Sequence, residues 1–367
     1  ALAAALALVA RVAVAAPPLP SGARRLLAIA DVHGDLGAAA RALALAGVAA
    51  VGASARDGAV EWLGGNYTTL IQTGDQVDRG PDSLEVLELF EALTALAASS
   101  GGRAASLVGN HELMVLAGEH RYAHREELAA LAARDAAHGA GAERAAARAG
   151  LYARMRSGAQ PRPPSEYELG SVADGQSLWV DAFGPGGAYF ELVTNRPTAL
   201  VEGEGACKTL FVHAGVLPQV LRRYGSLTEL SAAMQASVRD ARSLAARHDA
   251  LQGSQGPLWT RHYAEDAERV VCASLERVLA DAGASRMVVG HTVQREARHR
   301  CEGRLVLLDT GMSAIYNGHP SVFGCDEAGG PDRSGTTSRA WLVTGPNARL
   351  VELPAVEPPQ SSRHRSE

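Results

Sequence analysis

The chain has 367 residues, of which 47% are hydrophobic and 20% charged, and a formal net charge of −5. That size allows one large domain or two to three ordinary ones, and the mild acidity gives no electrostatic footprint for nucleic acid, which needs a basic face. Lys208 is the only lysine, and with the heavy Ala and Gly content this reads as a coding bias. The four cysteines, Cys207, Cys272, Cys301 and Cys325, form no C-x-x-C pair. They therefore offer neither a zinc knuckle nor a dense disulfide framework. Buried free thiols are the expectation, with one or two disulfides as the alternative in an exported protein.

Residues 1–22 form an apolar, Ala-rich leader, too short and interrupted for a membrane span. Ala13–Ala16 before Pro17 resembles a small-residue cleavage site, so a truncated signal or transit peptide, with secretory or organellar targeting, and a plain disordered leader are equal alternatives, and a cytosolic home is also open. Leu26–Ala30 is a short apolar run that stops at Asp31-Val32-His33-Gly34-Asp35, and it reads as a buried strand. Leu36–Val48 has helical spacing. Gly52–Gly65 is turn-rich, with Val60 and Trp62 alternating, and predicts a hairpin. Thr68–Ile71 is the next strand and runs into GDQVDRG, Gly74–Gly80. Pro81 marks a helix start, and Leu84, Leu87, Leu89 and Phe90 give that helix its apolar face.

Ala104–Val108 predicts a strand ending at Gly109-Asn110-His111-Glu112. From Leu113 to about Arg156 an Ala/Arg/Glu-rich stretch predicts helices, broken by Pro161, Pro163 and Pro164. Ser177–Val180 and Ala188–Val193 read as strands. Thr209–Val212 ends at His213-Ala214-Gly215, and Leu227–Leu251 is helical in period. GPLWTR, Gly256–Arg261, is a loop and Ala267–Ala282 a helix. Arg286–Val289 ends at Gly290-His291-Thr292, and Leu305–Leu308 at Asp309-Thr310-Gly311. Trp341–Val343 and Leu350–Leu353 read as edge strands. The tail beyond Pro354 has the composition of a disordered segment. The domain expectation is a leader over 1–22, a catalytic unit over 23–353 with a helical insertion at 113–170, and a tail over 354–367. Strands alternating with helices make the fold class α/β.

The informative pattern is positional. A short apolar run ends and a metal-capable residue follows beside a glycine at Asp31/His33, Asp75, Asn110/His111, His213 and His291. Sites in open α/β sheets form outside the carboxyl ends of strands, so these residues can converge from across the chain. Mixed carboxylate, amide and imidazole donors suit a pair of first-row divalent ions better than an oxygen-only cage. Alone, any one of these short matches is more often a turn residue or a structural histidine. Together and in order they point to a site.

DVHGD, GDQVDRG and GNHE, followed by VHAG and GHT, resemble the calcineurin-like metallophosphoesterases, in the phosphoprotein phosphatase branch. GNHELMVLAGEHRY, FVHAGVLP, GPLWTR and LLDTGMS are similar to the Shewanella-like protein phosphatases. The resemblance runs from about Leu26 to about Phe323. It implies two mixed β-sheets packed as a sandwich and flanked by helices. It implies two divalent ions, manganese first and iron or zinc as alternatives. Asp31, His33 and Asp75 would hold one ion, and Asp75, Asn110, His213 and His291 the other. A metal-bridging hydroxide would attack phosphorus, His111 paired with Asp78 would protonate the leaving oxygen, and Arg79, Arg261 and Asn110 would bind the phosphoryl oxygens. Arg121 and Tyr122 read as packing residues, and Asp309 as a turn residue rather than a partner of His291. The implied partner is a phosphorylated protein or peptide, dephosphorylated at Ser/Thr and alternatively at Tyr; a monomer is the default expectation, with no stable membrane span in the catalytic domain. The competing readings are a hydrolase of small phosphorylated molecules or dinucleoside polyphosphates, and an inactive fold used as a binding module.

Overall fold

A computed structural model describes residues 16–51, 60–137, 166–239, 249–328 and 337–357. In chain order the elements are β1 (Arg24–Ile29), α1 (Leu36–Ala46), β2 (Ala49–Val51), β3 (Val60–Trp62), β4 (Thr68–Gln72), α2 (Ser83–Ser99) and β5 (Arg103–Ser106). Then come α3 (Asn110–Leu116), α4 (Arg125–Ala137), α5 (Glu166–Phe183), α6 (Phe190–Thr194), β6 (Ala199–Glu202), β7 (Thr209–Val212), α7 (Pro218–Tyr224) and α8 (Leu227–Arg239). The rest are α9 (Asp249–Gln252), α10 (His262–Glu265), α11 (Glu268–Ala282), β8 (Arg286–Val289), β9 (Arg298–Arg300), β10 (Leu305–Leu307), β11 (Val322–Ala328), β12 (Thr337–Thr344) and β13 (Arg349–Glu352).

Six strands form one sheet in the order β13-β12-β11-β1-β4-β5, and five form a second in the order β6-β7-β8-β10-β9. Both sheets are mixed. β1, β4 and β5 run parallel, as do β7, β8 and β10, while the remaining strands pair antiparallel. Alternation along β1 explains the layering. Leu26 and Ala28 face inward to a core shared with Phe211, Val288 and Val306 of the second sheet. Leu27 and Ile29 face outward to α1 and α2, against Leu43, Leu89 and Phe90. On the far side Leu210, Met287 and Leu305 pack under Val271, Leu275 and Val278 of α11. This is the expected sandwich flanked by helices, and the parallel strands of both sheets send their C-terminal ends to one edge.

Several expectations are corrected. Ser177–Val180 lies in α5, and most of Ala188–Val193 in α6. Trp179 and Phe183 are one helical turn apart, both buried, with ring centroids 4.9 Å apart. A short apolar run has the same appearance in a buried helix as in a strand. β12 is an interior strand between β11 and β13, so only β13 is an edge. β2 and β3 pair as the predicted hairpin, whose tip at residues 52–59 lies outside the described residues. So do residues 1–15 of the leader, the Pro161–Pro164 break and the tail from 358.

The cysteines are not free thiols. Cys207 is bonded to Cys325 and Cys272 to Cys301. The first bridge crosses the sandwich from the turn before β7 to β11, and its 118-residue separation would constrain the unfolded chain by about 4–5 kcal/mol. Spacing along the sequence hid both pairs because each is closed only by the meeting of distant elements. No described helix is long and apolar enough to cross a membrane.

Candidate metal centre and phosphate site

The strand ends deliver the predicted residues to one place. β1 is followed by Asp31 and His33, β4 by Asp75, Asp78 and Arg79, β5 by Asn110 and His111, β7 by His213 and β8 by His291. Two groups of potential ligand atoms lie within 4.8 Å of one another: His33, Asp75 and His111, and Asp75, His213 and His291. Asp75 belongs to both. His33 Nε2 is 3.8 Å from Asp75 Oδ2 and 4.0 Å from Asp31 Oδ2, and His213 Nε2 is 3.4 Å from Asp75 Oδ2. Asn110 Oδ1 sits 2.9 Å from both His213 Nε2 and His291 Nδ1.

The loops are strained where they carry these groups. Nine non-glycine residues among those described have positive φ, and five of them are His33, Asp75, Asp78, Arg79 and His291. Such conformations cost on the order of 1–3 kcal/mol each, so the surroundings must enforce them. Glu112 does much of this. It is fully buried, and its carboxylate accepts backbone N–H groups from Gly109 (2.7 Å), Asp75 (2.8 Å), Gln76 (2.7 Å) and Val77 (3.3 Å). One side chain thereby fastens the loop after β4 to the start of α3. Gln76 extends the network to Gln72, Ser106 and the buried Arg196. Gly109 and Gly290 leave the room the carboxylates need, because a Cβ on either would collide with Asp75 or Asp31.

Three of the imidazoles are oriented through Nδ1. His213 Nδ1 donates to the Thr73 carbonyl at 3.0 Å, and His33 Nδ1 lies 3.3 Å from the Val77 carbonyl. His111 Nδ1 is 2.7 Å from Asp78 Oδ2, and its backbone N–H donates to Asp75 Oδ1. His291 is placed by its backbone instead, whose N–H donates to both oxygens of Asp31.

Charge in the cluster is poised for cations. Burial, then Asp309 and Asp75, pushes Asp31 well above the usual carboxylate range. Burial lowers His33 and His291 to about 3, so both rings are neutral and carry a lone pair. Burial opposes ionisation of Asp75, but His213, His111 and His33 outweigh it and hold the carboxyl well below its ordinary value. At His213, too, burial is outweighed by Asp75, which raises the ring above its ordinary value, so that Nδ1 donates to Thr73 and Nε2 faces Asn110 Oδ1 as a donor. The Nε2 of His291, by contrast, is buried without a partner beside Asp75 and Asn110. The donor set therefore fits first-row divalent ions.

His111 and Asp78 adjoin this cluster. Burial disfavours the imidazolium, but Asp75 and Asp78 outweigh it and raise His111 above its ordinary value. The guanidinium of Arg79 lies over the Tyr122 ring, 4.2 Å from its centroid, and its Nε is buried without a partner. Tyr122 also stands 5.2 Å from the His111 ring and accepts the Arg79 N–H with its carbonyl. It packs, as expected, and does so against His111 and Arg79. Arg261 is at the rim, exposed, 3.3 Å from Thr292 Oγ1 and 3.8 Å from Glu265. It shares a cleft of about 670 Å³ with Trp259 and His291. Asp309 turns the chain, accepting the Gly311 N–H at 2.8 Å. Its other oxygen is buried and unpartnered, and burial raises its carboxyl to about 6.

Glu112, Gln76 and Arg196 escaped the sequence reading. For Glu112 a signal was present: a Glu at the third position after Gly109, where a helix opens, is the acidic half of a capping box.

A family model for calcineurin-like phosphoesterases matches residues 24–295. The chain belongs to that family, and it is a metal-dependent phosphoesterase. Among curated proteins it is 29% identical over 296 residues to an uncharacterized protein of Schizosaccharomyces pombe, covering 80% of this chain and 75% of the other. It is 28% identical over 312 residues to Shewanella-like protein phosphatase 2 of Arabidopsis thaliana, covering 81% and 74%. Among solved structures, the cold-active protein-tyrosine phosphatase of a psychrophilic Shewanella shares the fold at a TM-score of 0.61 and 20% identity, covering 90% of this chain and 81% of that one.

Proposed function

We propose that the chain is a phosphoprotein phosphatase that hydrolyses phosphate monoesters on Ser/Thr and, alternatively, Tyr, at a site holding two divalent ions. The observation that carries this reading is the His111–Asp78 pair, 2.7 Å apart, beside the residues grouped around Asp75. Asp31, His33 and Asp75 would hold one ion, and Asp75, Asn110, His213 and His291 the other. When bound, such a pair activates water near neutral pH and neutralises developing phosphoryl charge.

The chain's own residues do the rest. Asp78 accepts the Nδ1 proton of His111 and fixes the ring, which leaves Nε2 to give its proton to the departing oxygen. The raised affinity of His111 for a proton favours the loaded form of that acid. Arg79, braced by Tyr122, presents its planar fork to the phosphoryl oxygens. Arg261 closes on the phosphate from the rim, and the Asn110 amide N–H donates to it. The name of the Arabidopsis relative supports a protein substrate. The catalytic unit would be 23–353, acting as a monomer.

The test is turnover of p-nitrophenyl phosphate with manganese, then of phosphoserine, phosphothreonine and phosphotyrosine peptides against diadenosine tetraphosphate. The peptides are expected to be preferred. A clear preference for the dinucleotide would replace the protein-substrate reading.

A further inference from the structure

Seven large hydrophobic side chains are exposed among the described residues, and three of them, Val293, Ile315 and Tyr316, lie on the loops after β8 and β10 that adjoin the metal-ligand cluster. The Tyr316 ring is 5.4 Å from the His33 ring. Val293 follows His291 by two residues. A methyl placed on Gly311 would lie 2.8 Å from Tyr316 Cβ and 3.1 Å from Val293 Cγ1, so these two side chains flank the same glycine. Ile315, the most exposed of the seven at 59%, adjoins Tyr316.

The patch is held in place. The Tyr316 N–H donates to the Ser313 carbonyl at 3.0 Å and the Gly318 N–H to the Gly311 carbonyl at 2.9 Å, which closes a tight turn. That turn is tied to the cluster, because the Ala314 N–H donates to Asp35 Oδ2 at 2.8 Å, two residues from His33. Single exposed apolar residues need no explanation, but a grouped set beside a reactive centre marks a binding surface. Val293, Ile315 and Tyr316 stay exposed against every described part of the chain, and Tyr316, through its contact with His33, joins their loops to the cluster. In an extended peptide successive residues are about 3.3 Å apart. The neighbours of a phosphoresidue held at the cluster therefore reach the patch.

We propose that Val293, Ile315 and Tyr316 form an apolar subsite for a bulky hydrophobic side chain one or two residues from the phosphoresidue, and so select protein substrates that carry one. This rests on the phosphoprotein reading above and names its substrate class.

The experiment compares wild type with Val293→Ser/Ile315→Ser and, as a control, Tyr67→Ser, all with manganese. Tyr67 is an exposed aromatic residue just before β4, at the end of that strand away from the cluster. The substrates are p-nitrophenyl phosphate, a phosphopeptide with Leu on both sides of the phosphoresidue, and the same peptide with Ser there. Wild type and Tyr67→Ser are expected to favour the Leu peptide by about five- to tenfold in kcat/KM. The double variant is expected to lose that ratio while its turnover of p-nitrophenyl phosphate stays within about twofold. Both changed residues are exposed, and Ile315→Ser alone provides a milder variant with a smaller loss in the same direction. Equal turnover of the two peptides by wild type, or an unchanged ratio in the double variant, overturns the subsite. Hydrolysis of p-nitrophenyl phosphate with neither peptide accepted removes the protein-substrate reading and the subsite with it. Failure on all three removes the phosphatase reading itself.

Discussion

The two sheets supply the site unequally. The six-stranded sheet contributes Asp31, His33, Asp75, Asp78, Arg79, Asn110 and His111, and its loops are locked from within by Glu112. The five-stranded sheet contributes His213 and His291, and both are oriented by the other sheet. His213 Nδ1 bonds the Thr73 carbonyl and the His291 N–H bonds Asp31. Arg261, which follows neither set of strand ends, is exposed and bound weakly. Rigidity falls from the carboxylate half, through the imidazole half, to the rim. The cost of breaking each part should fall in the same order.

The largest effect belongs to the residue shared by both ligand groups. Asp75→Asn is expected to reduce turnover of p-nitrophenyl phosphate below detection and to lower the bound metal measured by elemental analysis; a variant with wild-type metal and rate would break the assignment. Chelation should abolish wild-type activity and added manganese restore it.

His111→Asn should cost about 10²–10⁴-fold in kcat for esters with poor leaving groups and much less for p-nitrophenyl phosphate, whose leaving group needs no proton, with metal content unchanged. An equal loss on both substrates would argue against the acid role.

Glu112→Gln keeps one acceptor oxygen and replaces the other with a donor. It should weaken metal binding by about 10–100-fold in calorimetric titration while the circular dichroism of the folded protein is retained. If affinity is unchanged, the clamp on the Asp75 loop is dispensable and the contrast between the halves loses its cause.

Arg79→Ala should raise KM more than Arg261→Ala, since Arg79 is braced on Tyr122 and Arg261 is held only by long, exposed contacts to Thr292 and Glu265. Arg79→Lys should fail to rescue, because a lysine cannot present a fork. The reverse ranking would move the phosphate to the rim.

The smallest effect lies outside the centre. Glu127 of α4 accepts the Leu84 N–H at the start of α2, and burial holds its carboxyl well above the ordinary range. The folded state keeps the proton that the unfolded chain has already released. Stability from this group is therefore full below the unfolded value and declines as pH rises toward the folded one. Glu127→Gln should flatten the pH dependence of Tm above about pH 5; an unchanged slope would show that Glu127 does not set it.

Much of the centre was legible because strand ends are local events. Apolar runs that stop at Asp-x-His, Gly-Asp, Gly-Asn-His or Gly-His place each ligand type within one or two residues, and Thr209–Val212 and Arg286–Val289 match β7 and β8. Ser177–Val180 misled because four apolar-rich residues carry too little period to separate a strand from a buried helix. Asp78 and His111 could be paired through a resemblance, but not from their 33-residue separation.

The sequence by itself determined the strand-end donors, the α/β layering, and the order of the motifs. These depend on periodicity and on residue chemistry within a few positions. Tertiary structure alone decided that Cys207 meets Cys325, that Glu112 holds a loop some 35 residues away, that Tyr122 braces Arg79, and that Val293 and Tyr316 flank one glycine. Each of these is a contact between segments with no common period, and only the packing of the two sheets brings them within reach.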